Sequence, residues 1–139
     1  MRRFVVDASV LLSAVIAKPD SHPSLLLDAV RAGDIEMVAC ERLLDEVQHG
    51  LDGRYFRERI SENERLAIPA MLRALALMVP DPELVPAVLR DPEDDYLVEL
   101  ARTNVAQAII TGDRDLLEHE GLVPLAVSAR EACASLGLI

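Results

Sequence analysis

Phe4-Val5-Val6-Asp7 and Ala108-Ile109-Ile110-Thr111-Gly112-Asp113 decide how this chain is read. Each is a short apolar run with β-branched residues and no polar face. That is the pattern of a strand buried on both sides, as in a parallel sheet. Each run leads into aspartate, and a buried parallel strand delivers its next residues to the carboxyl edge of its sheet. Open α/β folds bind their ligands at that edge. Two carboxylates brought there repel one another unless a cation binds them.

Outward from these runs, strand and helix patterns alternate. Arg3 to Ala8 reads as a strand. Pro23 to Ala32 reads as a helix with Leu25, Leu26, Ala29 and Val30 on one face. Ile35 to Ala39 is a short strand and Glu41 to Leu51 a helix. Residues 54–79 read as helical throughout. Ser61-x-x-Glu64 starts the longer helix as a capping box, and Pro69 kinks or divides it. A proline-bearing connector covers Val79 to Pro92. A helix then runs to about Asn104, followed by a strand from Gln107 to Thr111 and a short helical turn after Asp113. Leu122 to Val127 is the last strand, and Ser128-x-x-Glu131 caps a final helix. This rhythm predicts one domain over residues 1–139, an α/β sandwich with a parallel sheet covered by helices.

Composition narrows the partners. The chain has 139 residues, 51% of them hydrophobic, enough for one core. No apolar run approaches the ~20 residues of a membrane span. Arg2 and Arg3 before an apolar run resemble the start of a secretion signal, but Asp7 interrupts it and Lys18-Pro19-Asp20 comes after, so the expected location is the cytoplasm. A net charge of −10 argues against loose, charge-driven adhesion to nucleic acid. It does not exclude a nuclease, because bound divalent cations offset the acid. With 3% aromatics and no Trp, a stacking platform for bases is excluded as the main device. Cys40 and Cys133 read as buried thiols, and His22, His49 and His119 lack zinc-like spacing.

The acids carry the chemistry. Asp7 reads equally as the cap of a helix starting at Ala8 or as a site residue. On the Glu41–Leu51 helix, Leu43, Leu44, Val47 and Leu51 form the apolar stripe. Glu46 lies at its edge and Asp45 points away. In Asp91-Pro92-Glu93-Asp94-Asp95 the acids suit a helix start. Helical phase puts Asp94 with Leu97, Val98 and Ala101, and leaves Asp95 as the solvated neighbour. Asp113 and Asp115 come after the second strand, with Thr111 placed to hydrogen-bond a neighbouring carboxylate. Two strand ends, one helix start and one helix margin together suggest a site for Mg²⁺ or Mn²⁺. Such ions activate water and hold phosphate for displacement.

Four segments resemble the acidic motifs of PIN-domain ribonucleases. They are Val5-Val6-Asp7-Ala8-Ser9-Val10-Leu11, Leu43-Leu44-Asp45-Glu46-Val47, Asp91-Pro92-Glu93-Asp94-Asp95, and Ile110-Thr111-Gly112-Asp113-Arg114-Asp115-Leu116-Leu117. The resemblance spans nearly the whole chain. It implies a Rossmann-like three-layer α/β/α sandwich with about five parallel strands, and Mg²⁺- or Mn²⁺-dependent cleavage of single-stranded RNA. It implies Asp7, Glu46, Asp94 and Asp113 as catalytic and metal-binding residues, with Asp115 as an accessory ligand. Ser9, Thr111 and Arg114 are the candidate substrate contacts. Compact bacterial members resemble VapC-like toxins of type II toxin–antitoxin pairs, which implies a small antitoxin partner and a homodimer. Ala8 and Ser9 stand where the family often has Thr and Asn, and Cys40 where a Ser cap is common.

Arg54, Arg57, Arg59 and Arg65, with Tyr55 and Phe56, read either as an RNA-contacting lip or as a solvated helix paired to Glu58, Glu62 and Glu64. Two rivals fit less well. A haloacid-dehalogenase-type phosphatase needs an acid at Ser9, and a receiver domain needs an acid pair beside Asp7. A non-catalytic interaction module with an acidic groove stays open.

Overall fold

The computed structural model describes residues 2–139. β1 (Arg2–Val6) is the central strand. On one side lie β2 (Ile35–Ala39) and β3 (Leu77–Met78), and on the other β4 (Ala108–Ile110) and β5 (Ala126–Val127). Every pairing is parallel, in the order β3-β2-β1-β4-β5. Phe4 lies beside Met37 and Ala108, and Val5 beside Val38 and Ile109. Val5, Val38 and Ile109 are wholly buried, because helices cover both faces and leave no alternation to see.

Chain order explains the layers. From β1 to β3 the chain moves one way across the sheet, through α1 (Ala8–Ile16), α2 (His22–Arg31), α3 (Glu41–Leu51), α4 (Arg54–Arg57) and α5 (Glu62–Leu75). Right-handed crossovers put these on one face. Their contacts run from α2 to α1, α1 to α3 and α3 to α5. From β3 the chain returns past β1 to β4 by way of α6 (Asp95–Thr103), which packs against β1 and β4. α7 (Arg114–Leu117) leads to β5, and α8 (Ala129–Leu136) packs beside α2. The result is a three-layer α/β/α sandwich. Among the described residues no helix is long and apolar enough to cross a membrane.

Several boundaries differ from expectation. β1 ends at Val6, short of the expected Ala8, and Ala8 opens α1, the helix that the capping reading of Asp7 allows without giving its extent. Val10 and Leu11 bury on its inner face, but they come directly after the strand's own apolar run, so the change of period is hidden. Residues 54–79 are not helical throughout. α4 ends at Arg57, Ile60 turns into the core, and Ser61 caps α5 by accepting the Glu64 amide at 3.2 Å. The reciprocal half of that capping box is replaced by Ser61 Oγ donating to Glu64 Oε1 at 3.0 Å. α5 runs undivided across Pro69. Its packing on α3 outweighs the lost hydrogen bond. β3 falls inside the range read as helix, since two residues are too few to display a period. The last strand shortens to Ala126–Val127, because Pro124 has no N–H for a ladder. Ser128 and Glu131 form the full capping box of α8.

Candidate functional site

β1 and β4 are neighbours whose chains leave in opposite directions, toward β2 and toward β5. This is the switch point of the sheet, and it opens a crevice at the carboxyl ends of the two strands. Asp7 stands there. Its amide donates to the Ile110 carbonyl at 2.9 Å, which pins it to the end of β4. Its carboxylate lies by the amides of Ala8 and Ser9 at the start of α1 but closes no cap hydrogen bond of ordinary geometry with them. Instead it accepts from Thr111 Oγ1 at 2.7 Å. The same Thr111 oxygen accepts the Asp113 amide at 3.0 Å, so one hydroxyl fixes Asp7 and Asp113 together. Thr111 is buried at the floor of the cleft that Ser9 and Asp113 also line, and its hydroxyl bonds a neighbouring carboxylate as its place after the strand suggests. It acts by holding Asp7.

Asp113 caps α7, its Oδ1 accepting the Asp115 amide at 2.9 Å. Asp94 ends a 3₁₀ turn (Pro92–Asp94) and lies close to both Asp7 and Asp113. Glu46 reaches the same crevice from α3, half-buried, while Asp45 is exposed. The structure therefore gathers Asp7, Glu46, Asp94 and Asp113. Asp115 is part-buried, with Arg90 Nη1 3.9 Å from its carboxylate. Ser9 is exposed on α1 and lines a cleft of about 430 Å³ with Ser13, Gly112, Asp113 and Ser128. Arg114 is bound to Glu118 by two contacts, Nε at 3.2 Å and Nη2 at 3.1 Å, and pairs with none of the gathered acids.

Asp95 reverses its expected position. It is 3% exposed and accepts the Leu89 amide at 2.7 Å and the Val88 amide at 3.2 Å. It clamps the connector, and is not the solvated neighbour. Helical phase misplaced it because the preceding turn is 3₁₀, so the α-helical period begins only at Asp95.

Crowding shapes the electrostatics. Burial raises the Asp7 carboxyl above its ordinary range. The Thr111 hydroxyl and the amides of Ala8 and Ser9 draw it down, and the charge of Asp113 raises it again. Burial and the Asp7 charge also raise Glu46, against the pull of the Tyr96 hydroxyl and Arg42. Asp94 is pushed up to about 7 by burial, by the Asp7 charge and by contact with Asp113. Two neighbours are not foreseen from the sequence. The Tyr96 hydroxyl is buried beside Glu46 and closes no hydrogen bond of ordinary geometry. Arg42 places its guanidinium 4.1 Å from the centre of the Tyr96 ring. The one available signal is the spacing of Arg42 and Glu46, a single turn apart on α3.

The arginines of residues 54–65 are largely engaged within their own segment. Arg54 pairs with Glu58 at 2.9 Å, Arg59 stacks on Tyr55 at 3.6 Å, and Arg65 donates to the Ile60 carbonyl at 2.6 Å.

The raised Asp94 has a consequence for stability. Its carboxyl titrates near 3.8 when unfolded and about 7 when folded. In metal-free protein the penalty is absent below about pH 4, grows as pH rises, and is complete above about pH 7. Because Asp94 is partly exposed, solvent screening holds the loss to about 1 kcal/mol. Asp94→Asn is expected to melt above wild type at about pH 8 and level with it at about pH 4. Thermal melts without metal test this, and a variant melting below wild type at the higher pH contradicts the repulsion.

The parallel five-stranded sheet covered by helices on both faces, with an acid-lined crevice at its switch point, defines a three-layer α/β protein. A profile described as PIN domain matches residues 3–115, and the chain belongs to the PIN-domain family. Members of that family are generally nucleases that use divalent metals. No curated protein matches the chain. Among solved structures, it is similar to PAE2754 from Pyrobaculum aerophilum, with 15% identity and a TM-score of 0.66. That match covers 99% of this chain and 91% of the other. It is also similar to VapBC2 from Rickettsia felis, crystallised bound to a DNA fragment from its promoter. There the identity is 10% and the TM-score 0.60, over 91% of this chain and 98% of the other. Such low identities speak for the fold alone.

Proposed function

We propose that this chain is a metal-dependent endoribonuclease that cuts single-stranded RNA. Its proposed role is the toxin of a type II toxin–antitoxin pair, a cytoplasmic homodimer held in check by a small antitoxin. The observation that carries the nuclease reading is the meeting of Asp7, Glu46, Asp94 and Asp113 at the β1/β4 switch point, with Asp94 raised to about 7. Like charges gathered at such a cost suit a site built for a cation. The toxin role, the antitoxin and the dimer rest on the family motifs and on likeness of fold to VapBC2.

The donors are carboxylate oxygens, which suit Mg²⁺ or Mn²⁺. Among the described residues, no group of three or more Asp, Glu, His or Cys side chains is arranged to close on a metal ion. Mg²⁺ does not require such a cage, since it keeps several waters and uses one or two carboxylates. Asp7, Glu46, Asp94 and Asp113 would hold it, with Asp115 as an accessory ligand. A bound divalent ion supplies water activation and offsets charge on the phosphate. The chain's own residues do the rest. Thr111 Oγ1 holds Asp7 Oδ2 in place, and Asp94, raised to about 7, can hold a proton near neutral pH. Ser9 and the neighbouring cleft give the RNA strand a path to the acids.

Purified protein incubated with Mn²⁺ and single-stranded RNA is expected to yield products that chelator abolishes. The open arrangement of the acids also favours a second reading, a non-catalytic interaction module. RNA left intact at every Mn²⁺ and Mg²⁺ concentration would decide for that module.

A further inference from the structure

A ribonuclease must also hold a polyanion beside its acids, in a protein whose net charge is −10. Three arginines lie near the crevice. Arg114 is engaged by Glu118, and Arg90, with its side chain 89% exposed, meets Asp115 only at 3.9 Å. Arg42 is held differently. Its own amide donates to Asp81 Oδ1 at 3.1 Å, which ties the start of α3 to the connector and fills the cap that Cys40 leaves open. Its guanidinium lies over the Tyr96 ring at 4.1 Å, and Nη2 donates to the Glu93 carbonyl at 3.0 Å, next to Asp94. Among the described residues Arg42 makes no ion pair.

The group is therefore exposed, yet fixed at its base, its face and one nitrogen. Nε and Nη1 make no hydrogen bond among the described residues, and the guanidinium lies between Glu46, whose carboxyl its charge draws down, and the Glu93 carbonyl next to Asp94. A pre-positioned guanidinium fork loses little entropy on taking up a phosphate oxygen pair. We propose that Arg42 is the backbone-phosphate-binding residue of this site, gripping the RNA strand next to the acids. The proposal rests on the ribonuclease reading above.

Steady-state cleavage of a single-stranded oligouridylate with Mn²⁺, repeated at several KCl concentrations, tests it. Arg42→Gln is expected to raise KM about tenfold, with kcat within about threefold of wild type. The slope of log KM against log[KCl] should shrink by about 0.7, the loss of one phosphate contact on a single strand. Arg42→Lys keeps the charge, so the slope should return to wild type while KM stays about threefold raised for want of the fork. If Arg42→Gln does not fold, Arg42→Lys decides. A raised KM at wild-type slope supports the grip, and a wild-type KM with lowered kcat overturns it. A fall in kcat with KM and slope unchanged in Arg42→Gln would make Arg42 only a strut between α3 and the Asp94 turn. Absence of cleavage by wild type would overturn the ribonuclease reading itself, and this proposal with it.

Discussion

Asp7→Asn and Asp113→Asn should each abolish metal-dependent RNA cleavage while leaving a folded protein. The chemical loss comes from charge. A carboxylate that helps hold a catalytic cation is worth several kcal/mol in the transition state, which is about 10³-fold or more in rate. The preserved fold comes from hydrogen bonding. Asp7 serves the structure as an acceptor for Thr111 Oγ1, and an asparagine oxygen accepts equally well. Asp113 caps α7 through the Asp115 amide, a task for which Asn is as good as Asp. Both substitutions also remove a negative charge from a crowded cluster, so neither should lower the melting temperature of metal-free protein. Cleavage with Mn²⁺ and thermal melts together check this. Full activity in both variants would remove these acids from the chemistry.

Much of the site is legible in the sequence because strand ends and sheet edges are set by simple periods. A buried parallel strand has to release its chain at one edge, so Asp7 and Asp113 must lie near each other once β1 and β4 pair. The apolar stripe of α3 likewise separates Glu46 from Asp45, since an uninterrupted α-helix keeps a constant phase. That rule fails at Asp95, where the helix begins in a 3₁₀ turn and the phase starts late. It is blind to β3, whose two residues pair with Val38 and Ala39 only because the sheet is already there. That Thr111 bonds a neighbouring carboxylate is read from its place after the strand, but its choice of Asp7, 104 residues away, and the stacking of Arg42 on Tyr96 join distant segments. No local pattern announces such contacts, because they depend on how finished layers meet.

Asp95→Ala should be the costliest change in the acidic segment for stability. The Leu89 amide is buried, and without Asp95 it loses its partner, at about 1–3 kcal/mol. The Val88 amide is less enclosed and is recovered by water at smaller cost. Leu89 itself packs into the core, so releasing its amide also loosens the connector that leads to Asp94. A total of about 2–3 kcal/mol corresponds to a fall in Tm of roughly 5–10 °C. Asp95→Asn separates the two roles an acid could have here. Its amide oxygen still accepts both N–H groups, so most of the lost Tm should return. If Asp95 acts only as a clamp, activity should return with it, because Asp94 regains its support. Loss of cleavage in Asp95→Asn at wild-type Tm would give the opposite answer. The cation-facing role in this segment would then belong to Asp95 itself, and Asp94 would be its neighbour in the turn.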